Sequence, residues 1–366
     1  MPGVLAMAQA FEHYVNDRGG LNGHKLKVLT CNEHNDSIAV TRCAQQAADA
    51  GAVAVVGSYS EEGSSFSTAL ESENIPYIGG YGITQDEFQS TLSYPVNGGL
   101  PALLAGSGRQ LADLCQQVAL VRPDSITGDQ FPLFLDQGLK LAGRKPASDI
   151  LAADDASDYN GVAERAIGND KPSTCVSAVL GDHTSTFFDA LRRVGPDGAQ
   201  PKVRLSSVIG SVQQDVIDAT GAAESPLENA YITSWYPPAS DPRWDEMKSV
   251  INKYAYGDDR IDVGDPGVQT TWIAYTVFTK VVRAMGDKAD ITTYSLRRAL
   301  DSTTHLSTGG LTPELGWSDS DFLGIPSHAR MVNAKVTYQA VRQGRLVAAR
   351  PGFVDLASTL RGPDAY

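Results

Sequence analysis

The residues best suited to hold a small molecule stand in two short loops, Gly57-Ser58-Tyr59-Ser60-Glu61 and Gly79-Gly80-Tyr81-Gly82-Ile83-Thr84. Glycine lets backbone N–H groups come close to a ligand. Serine, threonine and tyrosine hydroxyls both donate and accept hydrogen bonds, and a tyrosine ring adds a stacking face. Further along, Asp129 and Gln130 (segment 127–131), Asp182 and His183 after Gly181, Ile209 within 207–210, and the pair Trp235-Tyr236 offer acids, an amide, an imidazole and aromatic surface. Each has a plainer reading. Ser58, Ser60 and Asp182 fit helix N-caps, His183 fits a solvated loop, Asp129 and Gln130 share that ambiguity, and Trp235 fits a packing residue at a crossing. Catalytic chemistry is not laid out in the same way. There is no G-x-S-x-G elbow, P-loop, H-E-x-x-H or Rossmann glycine fingerprint, and the six histidines are scattered without metal-ligand spacing. Gly106-Ser107-Gly108 is a weak glycine match that reads as a bend. The expectation is a binding protein with no catalytic residues, metal or cofactor.

Such loops need a scaffold. Val4, Met7, Ala8, Phe11, Tyr14 and Val15 recur at helical spacing, and the helix stops at Gly19-Gly20. Strand and helix patterns then alternate: strand Leu26 to Cys31, helix from Asp36, strand Ala52 to Val56, helix from Glu62, strand Ile75 to Ile78. A second run follows, with strand Val118 to Val121, helix Phe131 to Leu141, strand Thr174 to Leu180, helix Ser185 to Val194 and strand Val203 to Val208. Repeated βα units imply parallel sheets covered by helices, in which ligands sit beyond the carboxyl ends of the strands. The two glycine-rich loops follow two such strands. Tyr94 to Gly99 and Thr233 to Pro238 suit chain crossings. Helices over Trp244 to Tyr256, Val268 to Met285 and Tyr294 to Leu300 come next, then a strand Arg330 to Ala340 turned by Gln343-Gly344-Arg345 into a hairpin.

At 366 residues the chain exceeds what one core usually serves, so two domains are expected. A net charge of −13 and a pI near 4.9 exclude a nucleic-acid partner, which demands clustered Lys and Arg. No apolar run approaches the roughly 20 residues of a membrane span. Four cysteines form two couples in segments that should be neighbours, Cys31 with Cys43 and Cys115 with Cys175. Bonds there would stabilise by about 3 and about 4 kcal/mol and suit an oxidising compartment; four free thiols, or another pairing, are the alternatives.

The run Asn16-Asp17-Arg18-Gly19-Gly20-Leu21-Asn22-Gly23-His24-Lys25-Leu26 closely resembles the helix-to-strand signature of type 1 periplasmic binding proteins of the branched-chain amino-acid branch. Cys31 to Asp36, Ala39 to Ala48, Val53 to Ser58, Asn74 to Ile78, Phe188 to Gly195, Trp272 to Tyr275 and Val336 to Gln339 follow in that family's order. The resemblance implies an α/β fold of two Rossmann-like, doubly wound parallel-sheet domains with hinge crossovers. The expected division is 1–97 plus 237–325, then 98–236 plus 326–350, with a tail at 351–366. It also implies that loops 57–61 and 79–84 supply the first-domain wall of an interdomain cleft that closes on its ligand, and that the two cysteine couples pair as above.

Two departures matter. In the family, a first strand and a glycine-containing loop precede the helix that opens this sequence, so the natural protein is expected to start upstream, with a signal peptide or lipoprotein anchor. The family's amino-acid binders hold the ligand ammonium with an acid in the loop that here reads Ser206-Ser207-Val208-Ile209-Gly210, where no acid stands. Tyr81 and Ile83 also replace small or hydroxyl residues. A leucine-type ligand would therefore need compensation from Glu61, Asp129 or Asp182. What the resemblance implies is a monomeric, extracytoplasmic solute-binding protein that delivers an amino-acid-like, aromatic or amide compound to the permease of an ABC importer; the alternative is a sensory domain of the same fold.

Overall fold

A computed structural model describes the whole chain except residues 154, 155, 157, 169, 196–200, 259 and 363–366. It comprises two compact units, residues 1–99 with 241–334 and residues 100–240 with 335–366.

The first unit carries a three-stranded parallel sheet in the order β1 (Val55–Val56), β2 (Tyr77–Ile78), β3 (Ser93–Tyr94). The unit's helices are α1 (Pro2–Asn16), α2 (Ser37–Asp49), α3 (Gly63–Ser72) and three returning ones, α9 (Asp245–Tyr254), α10 (Pro266–Met285) and α11 (Thr293–Asp301); α10 packs on β1 and β2, α1 and α11 pack on α10, α9 on α1, and α2 on α3. One core joins Val40 and Ala44 of α2, Phe66, Ala69 and Leu70 of α3, Ile75 just before β2, and Tyr77 of β2. The helix starts follow sequence chemistry. Asp36 caps α2 by accepting the Ala39 N–H at 2.7 Å, and Asp265 caps α10 through Gly267 and Val268, each worth about 1 kcal/mol. Helix α10 reaches the strand ends because Gly57, at φ +63°, has no side chain: a Cβ there would stand 2.8 Å from Thr271 Cα.

The second unit holds a sheet in the order β10-β9-β8-β7-β6-β4-β5. Strands β4 (Gln117–Pro123), β5 (Ser148–Ala152), β6 (Thr174–Ala178), β7 (Arg204–Val208) and β8 (Tyr231–Ser234) run parallel. Strand β9 (Lys335–Arg342) joins antiparallel to β8 and to β10 (Arg345–Ala348). Gln343 and Gly344, both at positive φ, make the tight turn between them, as expected of a two-residue hairpin. The helices are α4 (Gly99–Leu114), α5 (Phe131–Leu141), α6 (Asn160–Ile167), α7 (Thr184–Arg193), α8 (Gln214–Ala219) and α12 (Ala357–Arg361). The tail left unassigned by sequence forms β11 (Val354–Asp355), paired to β9, and α12; its last four residues lie outside those described.

Disulfides join Cys31 to Cys43 and Cys115 to Cys175, with Cα atoms 5.7 and 5.9 Å apart. Three sequence expectations need correction. Leu26 to Cys31 makes no strand ladder among the described residues. Its backbone is held by side chains of α1 instead: the Leu26 N–H donates to Asn16 Oδ1 and Asn16 Nδ2 donates to the Leu26 carbonyl, both at 2.8 Å, while the Val28 N–H donates to Glu12 Oε2. Alternation in sequence reports an extended chain, not its partner. Gly106-Ser107-Gly108 is not a bend but the middle of α4, where a Cβ on Gly108 would overlap the Leu135 carbonyl. The strand at Arg330 to Ala340 begins only at Lys335.

Candidate functional site

In the first unit, the loops after β1 and β2 are built onto each other. The Gly57 N–H donates to the Ile78 carbonyl and the Tyr81 N–H to the Ser58 carbonyl, each at 3.0 Å. From below, the Tyr77 hydroxyl donates to the Ser58 carbonyl at 3.2 Å. The rings of Tyr59 and Tyr81 meet edge to face, centroids 5.2 Å apart, and the Tyr59 hydroxyl donates to Glu61 Oε1 at 2.6 Å. Ser60 is buried, and its Oγ accepts the Glu62 N–H at 3.1 Å, so this hydroxyl serves the turn into α3. Ser58, Tyr59, Ser60, Glu61 and Tyr81 therefore form one connected cluster, in which Ser60 and Tyr81 are buried.

The second loop is organised by Glu87, which the sequence did not single out. Its carboxylate accepts the N–H groups of Gly82 and Ile83 at 3.0 Å and of Thr84 at 3.1 Å. The hydroxyls of Thr84 and Tyr77 reach it at 3.3 Å. Burial pushes the Glu87 carboxyl above its ordinary range against the pull of these backbone donors. Burial first, and Glu87 second, raise the Tyr77 phenol well above its ordinary value. A signal was available: Thr84-x-x-Glu87 has capping-box spacing, and Glu87 does reach back to the Thr84 N–H. Glu33 adjoins the same region. Burial raises its carboxyl, the hydroxyl of Ser60 opposes that, and the charges of Glu62 and Glu61 add to it.

In the second unit, the candidates divide. Asp129 is half of an ion pair: Arg122, buried at the end of β4, donates to Asp129 Oδ1 at 2.8 Å and to both oxygens of Asp149 at 2.8 and 2.9 Å. The hydrogen bond to Asp149, more than that to Asp129, holds the Arg122 guanidinium above its ordinary value. A carboxylate so neutralised is poorly placed to balance a ligand ammonium. Gln130 opens α5 without a side-chain cap. Asp182 and His183 lie exposed on the turn before α7. The capping role weighed for Asp182 is not seen: the N-cap position of α7 is His183, which makes no side-chain cap hydrogen bond, and the Thr184 hydroxyl instead accepts the Leu180 N–H at 3.0 Å. Ile209 is buried, its N–H donating to the Thr233 carbonyl. Trp235 and Tyr236 are wholly buried, rings 6.1 Å apart, and the Tyr236 carbonyl accepts from Thr337 at 2.6 Å and Gln339 at 2.8 Å. Among the described residues no group of three His, Cys, Asp or Glu is placed to hold a metal ion.

A family model described as periplasmic binding protein matches residues 1–329. No curated protein matches the chain. Among solved structures it is similar to a branched-chain amino acid ABC transporter from Thermus thermophilus with bound valine, at 14% identity over 97% of this chain and 92% of that one, with TM-score 0.77. A fatty acid ABC transporter substrate-binding protein from Thermomonospora curvata is similar at 14% identity over 98% and 90%, also with TM-score 0.77. A solute-binding protein of an ABC transporter from Rhodopseudomonas palustris, in complex with 3,4-dihydroxybenzoic acid, is similar at 14% identity over 98% and 93%, with TM-score 0.74. At such identities the likeness is one of fold.

Proposed function

This chain belongs to the type 1 periplasmic binding protein family, and from that premise we propose that it captures a small organic molecule outside the cytoplasm and delivers it to an ABC importer. The family is one of solute binders and not of enzymes. What carries the reading is the family match over residues 1–329. The interlocked loops at the carboxyl ends of β1 and β2 agree with it, since that is where parallel α/β sheets present backbone donors and hydroxyls. In this reading Ser58, Tyr59, Ser60, Glu61 and Gly80 to Thr84 contact the ligand from the first unit. Gln130, Asp182, His183 and the neighbourhood of Ile209, Trp235 and Tyr236 do so from the second. Two disulfides suit the oxidising conditions of such a compartment.

The ligands of the similar structures, valine, a dihydroxybenzoate and a fatty-acid class, set the panel for a test. A thermal-shift screen should include these together with amides, amines, short peptides and sugars. A ligand present at 100 times its dissociation constant stabilises by about 2.7 kcal/mol, so a true ligand gives a clear shift. A cooperative melt that no member of the panel moves would count against the reading.

A further inference from the structure

Backbone N–H groups that converge from consecutive residues make an anion-binding nest, and the loop from Gly79 to Thr84 contains one. The N–H groups of Gly82, Ile83 and Thr84 point at a common place, and the carboxylate of Glu87, 4% exposed, is already in it. With the Thr84 hydroxyl added, four donors fill the roughly four lone-pair sites a carboxylate offers, and the single Tyr77 hydroxyl proton is shared between Glu87 and the Ser58 carbonyl. The surrounding residues are shaped to this arrangement. A Cβ on Gly80 would overlap both Glu87 Oε2 and Tyr77 Oη, so glycine at 80 is what leaves room for the carboxylate. Nor do these loops contain a side-chain cation: the sequence has no Lys, Arg or His between Arg42 and Arg109, while Glu61, Glu62, Asp86 and Glu87 all fall there.

We infer that Glu87 occupies the anion-binding amides of the 79–84 loop with the protein's own carboxylate, so that the ligand group meeting this wall is neutral or cationic and never a free carboxylate. A second carboxylate brought to the same donors would find them taken and would face Glu87 at close range in a medium of low dielectric, where like charges repel strongly. An amide, alcohol, aromatic ring or amine meets no such penalty. Glu87 thereby acts as a specificity residue: it sets what the loop refuses. The ligand-class half of this inference rests on the proposed function above; the occupancy of the nest does not.

The occupancy is tested on the 15N-labelled full chain titrated with sodium acetate, with sodium chloride as control. In the natural protein the amide signals of Gly82, Ile83 and Thr84 should not respond to acetate. In Glu87→Ala, where the carboxylate and its stem are gone, the same signals should shift saturably and acetate should raise the melting temperature. Saturable shifts in the natural protein, or amides in Glu87→Ala that ignore acetate, overturn the inference. Should Glu87→Ala not fold, Glu87→Gln serves with a second readout. The three amides of the natural protein should report the titration of one carboxyl group, and in Glu87→Gln that titration should vanish; its persistence would mean that another group fills the nest. For the ligand class, valine is compared with valinamide, and 3,4-dihydroxybenzoate with its amide, by calorimetry. The amide member should bind at least roughly tenfold more tightly, and a tighter acid would overturn the class. Silence from all four, with the nest behaving as stated, is a failure of the proposed function and not of the nest.

Discussion

Glu87 sits where two physical effects oppose each other. Three backbone N–H groups favour its charged form, and removal from water disfavours it; burial is the larger effect and the carboxyl is raised. The consequence for stability follows from linkage. A carboxyl raised in the folded state binds its proton more tightly there than in the unfolded chain, so its favourable contribution is complete below the ordinary glutamate value of about 4.3 and is lost as pH climbs to the raised folded value. Glu87→Gln cannot titrate. The melting temperature of that variant minus that of the natural protein should therefore rise with pH from about 4 and become level above the folded value, whatever its absolute offset. A difference that stays flat across the range would mean that Glu87 ionises as freely when folded as when unfolded. At the neighbouring position, Tyr81→Phe separates two roles that Tyr81→Ala would confuse, because truncating a ring this buried costs on the order of 3–5 kcal/mol by itself. If the Tyr81 hydroxyl contacts ligand, Phe should weaken binding of a screen hit by roughly tenfold, about 1.4 kcal/mol, in a free protein that still melts cooperatively. Unaltered affinity would leave only the ring in the binding role.

Helix α4 makes the case at the level of elements. Glycine inside a helix ordinarily costs about 1 kcal/mol relative to alanine, so Gly106 and Gly108 look like faults until their surroundings are seen. A Cβ on Gly106 would lie 2.9 Å from Val336 Cγ2 and 3.0 Å from Thr233 Cγ2, and one on Gly108 would overlap the Leu135 carbonyl. The glycines let α4 sit down on β8, β9 and α5. Gly108→Ala should accordingly destabilise by about 1–3 kcal/mol, the usual range for overpacking. Gly161→Ala in α6, where a Cβ would meet nothing within 4 Å, should be neutral or stabilise by up to about 1 kcal/mol. Denaturant midpoints of the two variants check the contrast, and equal effects would refute the packing account. The same pair marks the limit of sequence reading. Strong amphipathic periods gave α1, α5, α7 and α10 nearly to the residue, and the loops of the candidate site were placed because they follow strands. Strand β5 was missed because it buries only Ile150 and Ala152, which leaves almost no apolar signal, and α6 because eight residues hold barely two turns. Glu87 is not singled out by the sequence, since nothing local reports that Gly80 makes room for its carboxylate in the interior.

For the molecule as a whole, the disulfides fall one to each unit, and their settings differ. Cys31 is exposed and Cys43 half-buried, whereas Cys115 and Cys175 are 2% and 0% exposed. Thiol–disulfide exchange requires that the attacking thiolate reach a sulfur, so a native protein in a mild reductant should lose the Cys31–Cys43 bond first. The Cys115–Cys175 bond should open only as the second unit unfolds. Alkylation followed by peptide mapping reads this order directly: label should appear on Cys31 and Cys43 while Cys115 and Cys175 remain joined. The energetic ranking runs the same way on the chain-entropy account. The inner bond spans 60 residues against 12, and closing the longer loop stabilises by about 4 against about 3 kcal/mol. Replacing Cys115 and Cys175 by alanine should therefore lower stability more than replacing Cys31 and Cys43, the more so because the first pair leaves a cavity in a filled core while the second faces water. Simultaneous loss of the two bonds at low reductant would mean that the second unit opens as readily as the surface of the first, and buried strand β6, which the inner disulfide ties to the end of α4, would then not belong to the rigid centre that its burial implies.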